Sequence, residues 1–459
     1  MAYPATPASG SPSGISRRSL IGRSTALAGG VVLGRFAFFG PDKARAAALT
    51  GKIVVGFEDP DDLLSPYIAR AAAALREANP EAEFEIQKAP GGNYTTQLFL
   101  SLTRGAGPDV FVLNGLGIGE LAAAGLIEPL DEFLSSWDGW AQYPEVTRNG
   151  LTYQGQVWAL NWGMDISYLF YRKDLFAQAG LPEDWQPATP DDILAAAREV
   201  KAQLPDVMPY ALYAGANGEA ATASQGFLPL LYAYGGTMQD EAGKWIIDSC
   251  AIRQTLDYYQ TAYQTDETVS QQVMTAASPV SEMPDKFGAG DLAMIFEGSW
   301  AYGRWAADDP EAARATIGYA LHPSANGDAP FTIGGVGSCI YIGAHSENKE
   351  LAWEFVRLMN TKEMHVAINQ ADPHIPARID AATDPAFLTT PFLSDLVEAG
   401  ASARVSPPDP SYRKLIGIVQ NATGIVATGE VAPDEAVERY GSELTRVLGE
   451  ENVVRQPCS

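Results

Sequence analysis

Residues 53–115 read IVVGFEDPDDLLSPYIARAAAALREANPEAEFEIQKAPGGNYTTQLFLSLTRGAGPDVFVLNG. Short apolar runs in this stretch alternate with longer runs of helical composition. The pattern predicts a strand at 53–55, a helix at 61–79, a strand at 84–86, a helix at 94–103 and a strand at 109–113. Such alternation favours an α/β fold with a parallel sheet covered by helices. Because ligands of these sheets bind where strands end, we expect the loops after Val55 and Leu113 to face a ligand.

Two later helices can be predicted from their capping residues. Thr189 stands before Pro190 and two aspartates, which is the order of an N-cap, a first helical residue and an acidic first turn. Ser346 is expected to cap a helix at 347–359 in the same way, and apolar residues recur along one face of that segment.

The overall composition is that of an ordinary globular protein. The chain has 459 residues, 46% apolar and 19% charged, and a net charge of −25. This length indicates two or three domains or one large two-lobed unit. The negative charge repels phosphate backbones and anionic lipid, so we expect no nucleic-acid partner. The sequence has no uninterrupted apolar run of the roughly 18 residues that a membrane span needs.

The first 46 residues have the features of an export signal. The pair Arg17-Arg18 precedes a mildly apolar stretch at 25–39 and then Ala44-Arg45-Ala46. This order gives a basic region, a short apolar region and a small-residue cleavage site. The arginine pair resembles a twin-arginine signal. We therefore predict export to the periplasm or to the outer face of the cytoplasmic membrane; the alternative is a basic tail on a cytoplasmic protein.

Cysteine usage adds two expectations. No cysteine lies near the predicted cleavage site, so we expect no lipoprotein anchor. The three cysteines Cys250, Cys339 and Cys458 allow at most one disulfide. The sequence leaves open whether Cys250 pairs with Cys339 or with Cys458, or whether all three remain thiols.

Common catalytic and cofactor motifs are missing from the sequence, among them H-E-x-x-H, the phosphate-binding G-x-x-x-x-G-K-[ST] and G-x-S-x-G. Gly115 to Gly119 follow a strand, but the glycine spacing and Glu120 disfavour a dinucleotide loop. The histidines lack the close spacing of metal ligands, and surface or hydrogen-bonding roles are favoured for them; they are His322, His345, His365 and His374. We predict no enzyme activity, no cofactor and no metal.

Aromatic residues beside polar ones are the distinctive feature of the chain. NWGMD at 161–165, EGSW at 297–300 and YGRW at 302–305 each place an indole next to carboxylates, glycines or a guanidinium. Sugar recognition uses this combination, since an aromatic ring covers the C–H face of a pyranose while polar groups pair its hydroxyls. Core packing is the expected role of the tryptophans at 137, 140, 185, 245 and 353.

Several segments, in order, resemble the extracellular solute-binding proteins of ATP-driven sugar importers, the group that includes maltose-binding protein. They are RGAGPDV at 104–110, YLFYRKDLFAQAGL at 168–181 with PATPDDI at 187–193, FGAGDLAMIFEGSW at 287–300, the segment 332–358, and ATG at 427–429 with PDEA at 433–436. The chain departs from the family pattern at Leu113-Asn114, where some relatives carry a tryptophan, so maltose specificity is not carried over.

The resemblance implies an α/β, two-lobed periplasmic-binding-protein fold of type II, with lobes joined by crossing hinge strands. The crossings would fall near 161–165 and 332–337. The implied lobes are an N-lobe of 47–161 plus 337–384 and a C-lobe of 165–331 plus 385–459.

The resemblance also implies a ligand site between the lobes. Trp300 would be the sugar platform, Asp165 a hinge carboxylate, and the loop 58–62 would face the ligand. The full set of candidate ligand-binding residues is Glu58, Asp59, Asn114, Trp162, Asp165, Gln225, Glu297, Trp300, Gly335, Arg378 and Tyr412.

The implied function is that of a monomer that binds a carbohydrate, in particular an oligosaccharide, and delivers it to the membrane permease of an ABC importer. A same-fold protein for a polyol, a glycerol phosphodiester or an oligopeptide-like solute is the alternative, since Arg378 and Arg404 could meet a phosphate. An extracellular glycoside hydrolase is the third reading, because carboxylates are abundant.

Overall fold

The computed structural model describes residues 48–59, 62–89, 94–405, 409–456 and 458. The predicted export signal at 1–46 lies outside the described residues, as do Pro60 and Asp61 of the loop expected to face the ligand. Those predictions stay predictions.

The strands of the described residues are β1 Gly51–Glu58, β2 Ala82–Ala89, β3 Val110–Asn114, β4 Thr152–Tyr153, β5 Gln156–Val157, β6 Leu160–Asn161, β7 Gly163–Arg172, β8 Trp245–Asp248, β9 Met294–Gly298, β10 Ile317–Ala320, β11 Thr332–Gly335, β12 Ser338–Ile342, β13 Ile375–Pro376, β14 Ala403–Val405 and β15 Val453–Arg455.

The α-helices of the described residues are α1 Ser65–Ala78, α2 Tyr94–Thr103, α3 Ile118–Ala123, α4 Asp131–Leu134, α5 Glu145–Leu151, α6 Lys173–Gln178, α7 Pro190–Gln203, α8 Leu228–Ala233, α9 Cys250–Gln260, α10 Gln272–Thr275, α11 Pro279–Ala289, α12 Ser299–Ala306, α13 Pro310–Thr316, α14 Lys349–Met359, α15 Lys362–Ala371, α16 Ile379–Ala382, α17 Pro391–Ala399, α18 Tyr412–Ala427 and α19 Pro433–Leu448. A π-helix, Thr222–Phe227, precedes α8.

The first sheet joins β2, β1, β3, β12 and β6 in that order. β1 runs parallel to β2 and β3, as predicted, whereas β12 runs antiparallel to β3 and β6. The strands predicted at 53–55 and 84–86 are confirmed within longer strands, and the strand predicted at 109–113 is β3, shifted by one residue. The helix predicted at 94–103 is confirmed as α2.

The helix predicted at 61–79 begins later, at Ser65. Asp62 has a φ of 57°, which an α-helix does not accommodate. The carboxylate of Asp59 accepts hydrogen bonds from the backbone N–H groups of Leu63, Leu64 and Ser65. These bonds satisfy the free donors at the helix start and hold the preceding residues in a turn.

The second sheet is centred on β7. β9, β10, β11 and β13 all pair with β7 in antiparallel fashion, and β14 pairs in parallel with β11. The expectation of a parallel sheet is therefore wrong for this part of the chain. β7 leads away from the first sheet and β11 leads back to it, so these two neighbours must run in opposite directions.

The chain passes between the two sheets at Trp162, which separates β6 from β7, and at Val336 and Gly337, which separate β11 from β12. Asn161 joins these crossings, because its buried Nδ2 donates to the carbonyl oxygens of Gly163 at 2.8 Å and Val336 at 2.9 Å. Both crossings fall within the segments 161–165 and 332–337, where the hinge stays a prediction. The lobe boundaries stay a prediction, and β13 pairs with the second sheet although 337–384 was assigned to the N-lobe.

The two predicted helix caps have different outcomes. The prediction for α7 is confirmed: Thr189 is the N-cap, Pro190 is the first helical residue, and Thr189 and Asp192 form a reciprocal capping box. The prediction for Ser346 is wrong, because α14 begins at Lys349 with Asn348 in the capping position. The hydroxyl of Ser346 donates to Asp109 Oδ1 at 2.6 Å and accepts from the Asn348 N–H at 3.3 Å, so it links the entry of β3 to the residue that precedes α14.

One disulfide joins Cys250, at the start of α9, to Cys458 near the end of the chain. Cys339, on β12, is a buried thiol. Among the described residues no helix has both the length and the apolar character that a membrane crossing requires.

Candidate functional site

A cavity of about 320 Å³ lies between the two sheets, and we call it the cleft. Asn114, the last residue of β3, lines it from the first sheet. Asp165 on β7, Glu297 on β9 and Gly335 on β11 line it from the second sheet. The cleft therefore lies where β3 ends, at one of the two loops expected to face a ligand.

Asp165 places a carboxylate near the start of β7, just after the crossing at Trp162. It pairs with Gly335 across the sheet. A side chain at Gly337, whose φ is +56°, would put a Cβ 2.4 Å from Asp165 Oδ1. Glycine at 337 is therefore required both by the backbone conformation and by the position of this carboxylate.

Trp300 lies in the first turn of α12, directly after β9. A side chain at Gly298 would place its Cβ 2.1 Å from the nearest atom of the Trp300 ring, so the indole lies close over that backbone. The ring stacks on His374 with a centroid distance of 5.4 Å and an interplanar angle of 18°. Trp300 also lines the cleft and is half-buried. A supported, half-exposed ring of this kind can stack against a pyranose.

His374 contacts both Asp165 and Trp300. Its Nε2 lies 3.3 Å from Asp165 Oδ1, and its Nδ1 lies 2.8 Å from the carbonyl oxygen of Asp372 and 3.6 Å from the carboxylate of Asp372. Burial alone would lower the pKa of His374, but Asp372 and Asp165 outweigh burial and raise it to about 9. The imidazole is therefore a cation at neutral pH, which favours both the carboxylate of Asp165 and the face of the Trp300 ring.

Glu297 holds Gln225 in position. Its Oε1 accepts from Gln225 Nε2 at 2.6 Å and from the Gly298 backbone N–H at 2.9 Å, and its Oε2 accepts from the Tyr213 hydroxyl at 3.0 Å. Burial raises the pKa of Glu297, although these donors oppose the rise. Both Glu297 oxygens are therefore occupied, and they fix the amide of Gln225, which belongs to the π-helix and also lines the cleft.

Three more predicted residues line the cleft: Asn114, Gly335 and Tyr412. Asn114 Oδ1 accepts from the Leu116 N–H at 2.9 Å, which fixes the orientation of the side-chain amide. Tyr412 is the first residue of α18. Burial raises the pKa of Tyr412 well above its ordinary value, so its hydroxyl stays protonated at neutral pH.

The structure does not bring Asp59 or Arg378 to the cleft. Asp59 is buried at the start of α1, where its carboxylate accepts the bonds described above and one more from the Ser65 hydroxyl. Arg378 pairs with Asp380 through Nε and Nη2 at 2.9 and 2.8 Å, and its Nη1 donates to the Asn360 carbonyl. The two residues therefore stabilise local structure instead.

Glu58 and Trp162 also lie outside the described cleft lining. Glu58 ends β1, and the indole of Trp162 is buried at the first crossing between the sheets. The Trp162 carbonyl accepts from Ala377 N–H and from Asn369 Nδ2, so this residue is fixed to α15 and to the chain after β13. The sequence NWGMD at 161–165 could not show whether its tryptophan binds a ligand or packs where the chain crosses between the sheets.

Sequence reasoning missed several cleft residues. Ser224 and Asp409 line the cavity, and His374 supports it from behind. A side chain at Gly119 would place its Cβ 2.8 Å from the carbonyl carbon of Asp409, so the segment before α18 approaches α3 closely. For His374 the only available cue was the nearby Asp372; its contacts with Asp165 and Trp300 depend on the fold.

Comparison with known proteins supplies the family context. A family model described as bacterial extracellular solute-binding protein matches residues 60–366. The chain is 23% identical over 376 residues to a maltotriose-binding protein of Pyrococcus abyssi, which covers 80% of this chain and 76% of that protein.

Solved structures show the same fold. An ABC transporter solute-binding protein of Thermotoga lettingae, bound with α-D-tagatose, has a TM-score of 0.77 and 23% identity, and the match covers 87% of this chain and 100% of that one. A maltose-bound protein of T. maritima has a TM-score of 0.75 and 21% identity over 86% and 100% of the two chains. The predicted two-lobed α/β fold is thereby confirmed. These relatives are solute-binding proteins rather than enzymes.

Proposed function

Because the chain belongs to the bacterial extracellular solute-binding protein family, with a family match over residues 60–366, we propose that it is the substrate-binding component of an ABC importer. Its ligand is a carbohydrate, in particular an oligosaccharide, held in the cleft. The protein acts outside the cytoplasmic membrane, closes around the sugar and delivers it to a membrane permease.

The observation that carries this proposal is the Trp300 platform beside fixed polar groups. Trp300 presents a supported aromatic ring to the same cavity that the carboxylate of Asp165 and the amides of Gln225 and Asn114 line. A pyranose needs this pairing, since its C–H face is apolar and its rim carries hydroxyls. Carboxylates and amides fixed by their own hydrogen bonds can pair those hydroxyls with little loss of side-chain entropy.

The cleft fits a neutral ligand better than a phosphate. No lysine or arginine occurs among the described residues that line it, whereas Asp165, Glu219, Glu297 and Asp409 do. Arg404, which could have met a phosphate, donates to the Tyr232 carbonyl and lies over the Phe331 ring at 4.2 Å. This arrangement disfavours a glycerol phosphodiester.

Ligand-driven closure is the proposed mechanism. A ligand that touches both sides of the cleft favours the closed arrangement by its differential affinity for that state. The chain would bend where it crosses between the sheets, near the Asn161 amide that bonds both crossings.

A thermal-shift screen against mono- and oligosaccharides tests the proposal, followed by calorimetric titration of each hit. At 100 times its dissociation constant a ligand should add about 2.7 kcal/mol of stability. Trp300→Ala should weaken binding by about 1–3 kcal/mol. Trp158→Ala is the matched control, since Trp158 is half-buried with its Nε1 bonded to the Tyr153 carbonyl outside the cleft.

Three results would count against the proposal. They are stabilisation by phosphodiesters but by no saccharide, an equal loss of binding in both tryptophan variants, and new sugar products after incubation, which would indicate a hydrolase. Unchanged small-angle scattering with saturating sugar would contradict the closure mechanism alone.

A further inference from the structure

A second cavity, of about 290 Å³, adjoins the cleft, and we call it the apolar pocket. Its walls are mainly apolar side chains of α8, β8 and α18, among them Tyr232, Trp245, Leu415 and Val419. These four side chains are at most 9% exposed, so the walls belong to the packed interior of this part of the chain. Asp240 and two neutral polar residues complete the lining.

The apolar pocket and the cleft share three lining residues, Leu228, Val405 and Tyr412. Leu228 begins α8, Val405 ends β14 and Tyr412 begins α18. A group bound against the phenol ring of Tyr412 in the cleft therefore lies next to the second cavity. The three shared residues form a wall common to both cavities, so the apolar pocket and a ligand in the cleft are neighbours across Tyr412.

The two cavities differ in chemistry. The cleft offers carboxylates and amides, whereas most of the apolar pocket offers only C–H surface and aromatic rings. Sugar hydroxyls placed against such walls would lose hydrogen bonds to water without replacement. No lysine or arginine occurs among the described lining residues, so an anionic group gains nothing there either.

The size of the apolar pocket suits an aromatic or short alkyl group. The apolar pocket is partly open to solvent, so a small apolar group can enter it. An engineered apolar cavity of about 150 Å³ in another protein binds benzene. A volume of about 290 Å³ has room for a substituted ring and the bond that links it to a sugar.

We propose that the apolar pocket binds an aromatic or alkyl substituent carried by the sugar in the cleft, so that the preferred ligand is an amphiphilic glycoside. The proposal rests on the proposed function, because the sugar part must occupy the cleft. The sugar would stack on Trp300, and its apolar substituent would extend past Tyr412 toward Trp245.

Paired titrations test the proposal. Calorimetry compares maltose, cellobiose and xylobiose with the para-nitrophenyl glycoside of each, and the neutral fluorophore phenylnaphthylamine reports on the apolar pocket without any sugar. Ile416→Trp fills the pocket from a half-exposed position on α18. Val447→Trp is the matched control, since Val447 is half-exposed on α19 and lines neither cavity among the described residues.

We expect a para-nitrophenyl glycoside to bind at least about tenfold more tightly than its free sugar, since burial of a ring of this size favours binding. Ile416→Trp should abolish this advantage and the fluorophore signal, while Val447→Trp should keep both. A different result would overturn the proposal: the fluorophore binds wild type and not Ile416→Trp, but no nitrophenyl glycoside binds more tightly than its free sugar. The pocket would then bind a separate apolar molecule.

The two proposals fail in different ways. Free sugars that bind as tightly as their nitrophenyl glycosides would overturn the apolar-pocket proposal and leave the proposed function standing. Absence of binding by every sugar, free or substituted, would overturn the proposed function and this proposal together.

Discussion

Raising the pH should destabilise the fold through one residue, His374. Its cation lies between Asp165 and Asp372 and under the ring of Trp300. Loss of its proton would leave the Asp165 carboxylate without its charged partner. The perturbation has two forms, a pH titration of the wild type and the variant His374→Gln, which can still donate a hydrogen bond but does not titrate.

The magnitude follows from the pKa of His374, which rises from 6.5 in the unfolded chain to about 9 in the fold. Each pH unit of this difference corresponds to about 1.4 kcal/mol in the free energy of unfolding. The folded state binds more protons than the unfolded state between these values, so stability falls as the pH rises. About 3 kcal/mol is fully present below pH 6.5 and is lost as the pH passes through 9.

Urea unfolding at steps between pH 6 and 9 measures this loss. Above pH 7, where His322 and His365 are largely neutral in both the folded and the unfolded chain, wild type should lose about 2 kcal/mol by pH 9, and His374→Gln should show a nearly flat profile. His345→Gln is the control, because that ring bonds the carbonyl of Gly107 instead. The range stops at 9 because burial also raises the pKa of the Cys339 thiol, which adds a loss of stability at higher pH. Parallel profiles for wild type and His374→Gln would refute the reasoning.

Three further predictions concern the cleft and the interior. Trp300→Ala should weaken sugar binding by about 1–3 kcal/mol in calorimetry and cost the fold less than a core tryptophan does; unchanged affinity with a collapsed melting temperature would make Trp300 a core residue. Glu297→Gln should lower the free energy of unfolding in urea by about 1–3 kcal/mol, because an amide cannot accept from Tyr213, Gln225 and Gly298 through both terminal atoms. Glu219→Gln, on the exposed rim, is the control and should leave that free energy unchanged. Burial lowers the pKa of His322 to about 4, so about 3 kcal/mol of stability present above pH 6.5 should be lost as the pH falls through 4, and a His322→Asn profile as steep as wild type would contradict this.

The first sheet could be predicted from sequence because its strands are local. The strands at 53–55 and 84–86 and the helix at 94–103 are continuous segments whose composition and boundaries carry the signal. Strand direction in the second sheet could not be predicted in this way. β7 meets β9, β10, β11 and β13 only after long stretches of chain, and pairing over such separations leaves no local pattern.

At the site, residues that belong to a motif were easier to find than residues that act through contacts. Asp165, Glu297 and Trp300 stand in short aromatic and acidic segments, and the structure brings all three to the cleft. Asp59 and Arg378 have equally suitable side chains, but local hydrogen bonds engage them elsewhere. Charge and residue type show what a side chain can bind, whereas only the fold shows whether a nearer partner already holds it.

The second sheet carries most of the prepared binding surface. His374 directly precedes β13, and β13 pairs with the same β7 that carries Asp165. The His374 cation, which stacks on Trp300, is therefore held through β13 next to β7, the strand that carries Asp165. His374 contacts both Trp300 and Asp165 and so holds both side chains in place. A ligand that contacts them would therefore lose little free energy to the ordering of these side chains. Asn114, by contrast, reaches the cleft from the first sheet. In the proposed mechanism, sugar contacts on the second sheet are thus available before closure, and the contact with Asn114 is the one that closure can strengthen.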